Sequence, residues 1–149
     1  MPEKETLDRA REDAREGKSP STQAGEFVRE EIHHVREGKH GARSAKQAIA
    51  IGLSKARRAG VPLAPPKPGT TSARTRRQAS RDAAKGRRGT ARPSARRSRA
   101  GERALKREGR SAASSRALSQ QARQSAKRRS PAQRSAAARK AARTRARRG

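Results

Sequence analysis

Apolar residues recur at helical spacing in only two stretches of this chain; elsewhere it is charged or built from small residues. The first stretch is SPSTQAGEFVREEIHHVREG, in which Ala24, Phe27, Val28, Ile32 and Val35 fall on one face of a helix. Ser19 can cap its start, Pro20 suits a first helical position whose N–H would have no partner anyway, and Gly38 can close it. The opposite face carries Glu26, Glu30, His33 and Glu37, which predicts an acidic side toward solvent. Glu31 interrupts the apolar stripe, where either solvent or Lys55 can satisfy it.

The second stretch is SAKQAIAIGLSKARRAGVP. Ser44 and Gln47 stand at capping-box spacing, Gly60 offers a left-handed stop, Val61 can fold back on Leu53 or Ala56, and Pro62 prevents continuation. Ala45, Ala48, Ile49, Gly52, Leu53 and Ala56 share a face; Lys46, Gln47, Ser54, Arg57 and Arg58 lie on the other side, and Ile51 points away from the stripe, read as a lone surface isoleucine with a self-association contact as the alternative. Two helices joined by so short a connection predict a helical hairpin, apolar stripe on apolar stripe. Before it, Glu3 to Glu16 alternates acid and base around Leu7, Ala10 and Ala14 and ends at Gly17, which predicts a solvated helix held by charge pairs.

A core made from Phe27, Val28, Ile32, Val35, Ile49, Leu53 and Val61 supplies only about 3 to 5 kcal/mol. A homodimer through the helical module, or folding on a partner, would make up the difference.

Composition changes the picture after Leu63, where Pro65, Pro66 and Pro68 follow. The 149 residues hold 41 Lys and Arg against 13 Asp and Glu, a formal net charge of +28, and only 29% are hydrophobic. Residues 1–63 hold 13 basic and 10 acidic side chains, a net of +3; residues 64–149 hold the other 28 basic side chains against Asp82, Glu102 and Glu108, a net of +25. Low hydrophobicity with high charge predicts disorder, because too little apolar surface is buried to offset the entropy of ordering the backbone. The expected fold is therefore mostly α with disorder: a charged N-terminal helix over residues 1–18, a helical hairpin over 19–63, and a long disordered Arg/Ala/Ser-rich tail over 64–149. The alanine-rich stretches Ser111–Arg129 and Ala132–Arg148 are expected to become helical only when phosphate neutralises their charges.

So concentrated a positive field attracts polyanions, and DNA is the leading partner, with RNA the alternative. The cations expected to meet phosphate are Lys46, Lys55, Arg57 and Arg58 on the capped helix; in the tail they are Arg87, Arg88, Arg96, Arg97, Arg99, Lys127, Arg128, Arg129, Arg139, Lys140, Arg143, Arg145, Arg147 and Arg148. Arginine suits bidentate phosphate contact and narrow minor grooves, whereas a single Phe with no Trp or Tyr argues against the stacking platforms of single-strand binders. A membrane surface is disfavoured by the same shortage of aromatics and by the absence of Cys for lipidation.

No catalytic motif is complete. GKSPST follows Glu12 where a phosphate-binding loop needs glycine, and GLSKARRAG lacks the glycine spacing of a nucleophile elbow. His33, His34 and His40 suggest a metal with Glu30 or Glu37, but adjacent histidines diverge by about 100° on a helix, and all three are read as surface residues. No metal and no cofactor are expected.

The segment HHVREGKHGARSAKQAIAIGLSKARRAG, His33 to Gly60, resembles the core of an uncharacterised family of small basic bacterial proteins often labelled DNA-binding. The tail resembles in composition the basic tails of linker histones and bacterial nucleoid proteins. These likenesses imply a non-enzymatic, histone-like DNA-binding protein of the cytoplasm and nucleoid, largely indifferent to base sequence. An RNA-binding or ribosome-associated protein, or a protein-interaction module docking through Glu26, Glu30 and Glu37, are the alternatives.

Overall fold

A computed structural model describes residues 1–89 and 94–148, with all of their side chains except that of Arg148. The chain divides into two units, Met1–Ser114 and Ser115–Gly149. The first holds α1 (Lys4–Arg15), α2 (Pro20–Glu37), α3 (Ala45–Arg58), α4 (Ala73–Arg88), α5 (Ala95–Lys106) and a 3-10 turn at Ser111–Ala113.

Local chemistry sets the ends of α2 and α3. Ser19 accepts the Thr22 N–H at 3.4 Å and Ser44 the Gln47 N–H at 3.1 Å. The Gln47 side chain reaches back as the capping box requires, but takes the N–H of Arg43 at 2.6 Å. At the other end of α3, Gly60 at φ 97° lets Val61 N–H bond to Ala56 O and Gly60 N–H to Arg57 O, a Schellman closure.

The buried face of α3 is Ala45, Ala48, Gly52 and Ala56, a stripe of small residues. A Cβ added to Gly52 would lie 2.6 Å from Val28 Cα, so the backbones of α2 and α3 run almost in contact. Phe27, Ala10, Ala24 and Ala56 form the core, with Leu7, Leu53, Val61 and Leu63 packed against it. Thus α1 covers α2 rather than standing in solvent.

The disordered tail expected from composition is overturned, because helices occupy 73–88, 95–106, 115–127 and 131–148. Charge and hydropathy misled for a physical reason: this part of the chain orders itself through small residues and caps, which contribute little to mean hydropathy. Ser72, Ser94 and Ser130 each accept the N–H three residues on, at 3.2, 3.3 and 3.2 Å. Ala79, Ala112 and Ala113 are buried. The Gly41 and Ala42 N–H groups bond to Leu105 O and Gly109 O at 2.9 and 3.1 Å, and Arg36 Nε donates to Ala113 O at 2.9 Å. Residues 105–113 are thereby laced to the last turn of α2 and the α2–α3 connection.

The second unit holds α6 (Ser115–Lys127) and α7 (Pro131–Arg148). Ser130 and Gln133 cap α7 reciprocally, with Ser130 N–H donating to Gln133 Oε1 at 2.9 Å. Alanine propensity and this box support a helix whose described side chains are all exposed.

Candidate nucleic-acid interface

Helix α4 is oriented by the one acid it carries. Asp82 is only 2% exposed; its carboxylate accepts from Ser54 Oγ on α3 at 2.7 Å and from Gln78 Nε2 at 3.2 Å, with Arg58 Nε 3.8 Å away. Ala79 is buried on the same side, and Gly86 sits against the Arg57 carbonyl so closely that any Cβ would collide with it. Ala79, Asp82 and Gly86 therefore fix which side of α4 meets α3.

The remaining surface follows from helix geometry. Arg74, Arg77, Arg81, Lys85 and Arg88 are spaced 3, 4, 4 and 3 residues apart, a sector of roughly 80° centred some 130° from the docked face. All five are exposed, and among the described residues none forms an ion pair; beyond residue 63 the acids engaged are Asp82, with Arg58, and Glu102, with Lys106 at 2.9 Å. The stripe is roughly 21 Å long at 1.5 Å per residue. A shallow groove lined by Pro65, Pro66, Pro68, Arg76, Arg77, Ser80 and Arg81 runs beside it. On α5, Arg96, Arg99 and Arg103 repeat the pattern, with the half-buried Leu105 on the other side.

The cations singled out from sequence divide into two groups. Lys46, Arg87, Arg88, Arg96, Arg97, Arg99, Lys127, Arg128, Arg129, Arg139, Lys140, Arg143, Arg145 and Arg147 are exposed, and Arg58 is half-buried; the side chain of Arg148 lies outside the described residues. Arg57 and Lys55 are different. Arg57 is 7% exposed and donates to Leu63 O at 3.3 Å and Ala64 O at 3.2 Å, tying down the turn into the proline run. Burial disfavours its cation and the Asp82 charge offsets part of that penalty. Lys55 is half-buried and paired with Glu31. Both serve the fold, so the capped helix contributes Lys46 and part of Arg58 to the surface. Arg74, Arg77, Arg81 and Lys85 went unnoticed, although their i, i+3, i+7, i+11 spacing is visible once the segment is read as a helix.

Internal contacts also occupy the acidic side of α2. Arg9 Nε bonds to Glu26 at 2.7 Å, and buried Glu30 accepts the Glu3 N–H at 3.2 Å. Glu3 in turn accepts from His34 Nε2 at 2.9 Å and Lys39 Nζ at 3.1 Å, which holds its carboxyl down at about 2. His34 and His40, read from sequence as surface residues, have side chains only 13% exposed; His33 alone of the three is exposed.

Residues 17–68 match a protein family of unknown function (DUF6496). No curated protein and no solved structure matches the chain. The matched segment contains α2, α3 and the proline run, while α1 and the basic helices α4 to α7 lie outside it. The likeness drawn over His33 to Gly60 falls within this segment, and the family carries no DNA-binding assignment. Among the described residues no helix is long and apolar enough to cross a membrane.

Proposed function

We propose that this is a non-enzymatic, largely sequence-indifferent DNA-binding protein of nucleoid-associated type, which meets the duplex backbone with helical basic faces. The observation that carries this reading is the α4 stripe: five cations in register on a helix docked through its other side, with none of the five in an ion pair among the described residues. Helical spacing sets successive stripe residues about 5 to 6 Å apart, so that the five cations form a continuous row able to meet a phosphate backbone. With a single Phe, no Trp or Tyr, and no sheet among the described residues, the platforms that stack unpaired bases are lacking, which favours a duplex. The acidic face of α2 that an interaction module would use is already taken by Arg9 and the Glu3 N–H.

The test is fluorescence anisotropy of a labelled DNA duplex, and of an RNA duplex of the same sequence, across a salt series. If about ten phosphates are engaged, log affinity falls against log salt with slope near −9; replacing Arg77 and Arg81 with alanine flattens it by about 1.8. Failure to bind either duplex at low salt, or a double variant with unaltered slope, refutes the reading. Preference for the RNA duplex replaces DNA with RNA as the partner.

A further inference from the structure

We propose that Glu31, His34 and His40 form a binding site for one divalent transition metal ion, with zinc the best match. One ligating atom from each lies within 4.8 Å of the others. Glu31 and His34 are a helical turn apart on α2, and His40 returns to them from the α2–α3 connection just past the Gly38 turn.

The hydrogen bonds of the two imidazoles support a metal. His40 Nδ1 lies 2.9 Å from Gly41 O, and a carbonyl only accepts, so Nδ1 carries a proton and Nε2 is the nitrogen turned inward. That Nε2 lies 3.1 Å from Glu31 Oε2, yet the oxygen accepts no hydrogen bond. His34 Nε2 donates to the Glu3 carboxylate, and its Nδ1 lies 3.9 Å from Glu31 Oε1. Two inward-facing imidazole nitrogens and a fully buried carboxylate thus face one another, an arrangement that a metal ion can bridge once both nitrogens are unprotonated. Each histidine has its outer nitrogen held by a carboxylate or a backbone carbonyl, the support that metal-ligating histidines ordinarily have.

Lys55 pairs with Oε1 of Glu31, while Oε2, 3.1 Å from His40 Nε2, accepts no hydrogen bond. Local charge favours a cation as well: the carboxylates of Glu3, Glu30 and Glu31 outnumber Lys39 and Lys55, and Glu30 Oε1 lies 3.9 Å from His34 Nε2 without a hydrogen bond of its own. Two imidazoles and one carboxylate suit zinc, cobalt or nickel rather than magnesium or calcium, and three protein ligands leave a fourth tetrahedral position for water. Bound there, the ion would join α2 to the connection that follows it, with α1 held through Glu3.

The full chain, stripped with chelator, is to be titrated with Zn²⁺ by calorimetry and with Co²⁺ by visible absorption. One equivalent per chain is expected, with the intense bands of tetrahedral cobalt. Imidazole NMR of the unaltered protein should show the His34 and His40 nitrogens moving on zinc addition while those of His33 stay in place. H34Q and H40Q should each weaken binding at least about 100-fold, E3Q about 10-fold, and H33Q not at all, with circular dichroism confirming each fold. Absence of saturable 1:1 binding, or zinc shifts at His33 equal to those at His34 and His40, overturns the site. So does wild-type affinity in folded H34Q and H40Q.

Discussion

Asp82→Ala should free α4 from α3. In the structure the carboxylate is buried, accepts the Ser54 hydroxyl at 2.7 Å, and stands near the Arg57 and Arg58 cations. A hydrogen bond to a buried charge contributes about 1.5 to 3 kcal/mol, and truncation also leaves the Ser54 hydroxyl and the buried Arg57 cation without a partner on that side. The expected cost is about 3 kcal/mol. Local opening of α4 would then become on the order of 100-fold more frequent, since each 1.4 kcal/mol is tenfold. Amide exchange followed by mass spectrometry reads this directly: peptides from Ala73–Arg88 should lose protection while those from α2 keep it. Ser54→Ala should be non-additive with Asp82→Ala, and Asp82→Asn, which keeps the shape without the charge, should fall between. Unchanged exchange in α4, or strict additivity with Ser54→Ala, would show that this contact does not hold the helix.

Two further outcomes follow from the same geometry. Gly86→Ala normally stabilises a helix by up to about 1 kcal/mol, but here the new methyl would meet the Arg57 carbonyl, so the sign should reverse and thermal denaturation should show a loss of about 1 to 3 kcal/mol. Ending the chain after Ser114 should leave the melting temperature of the first unit within about 2 °C of the intact protein while shallowing the salt slope of duplex binding, because α6 and α7 carry cations and no core.

The N-terminal half was legible because its signals are conventional. Ser19 with Pro20, Ser44 with Gln47, and Gly60 before Val61 mark ends that the structure places within a residue or two, and Phe27, Ile32 and Val35 mark a face that is indeed buried. The pairing of Glu31 with Lys55 was likewise readable from the stripe it interrupts. Beyond Leu63 the evident quantity was charge, and charge conceals packing of this kind. Ala79 and Ala113 each bury only a methyl group and Gly86 only backbone, so hydropathy hardly registers them. Asp82 was the available clue, a lone acid among arginines whose neighbours at i−3 and i+4, Ala79 and Gly86, are small. The inward histidines could not be read either, because His40 reaches Glu31 only through the turn at Gly38.

The small-residue seam along Ala45, Ala48, Gly52 and Ala56, and the glycine contact at Gly86, make the chain sensitive to added atoms more than to lost ones. Conventional alanine scanning would pass over Ala45, Ala48 and Ala56 entirely, since nothing there can be trimmed, and would register only at Gly52 and Gly86, where alanine adds an atom rather than removing one. The damaging substitutions would be enlargements to valine or leucine, each forcing two backbones apart. Sequence variation at these positions should therefore be bounded from above by volume, while the exposed arginines can drift among themselves as long as a cation stays on the outward side.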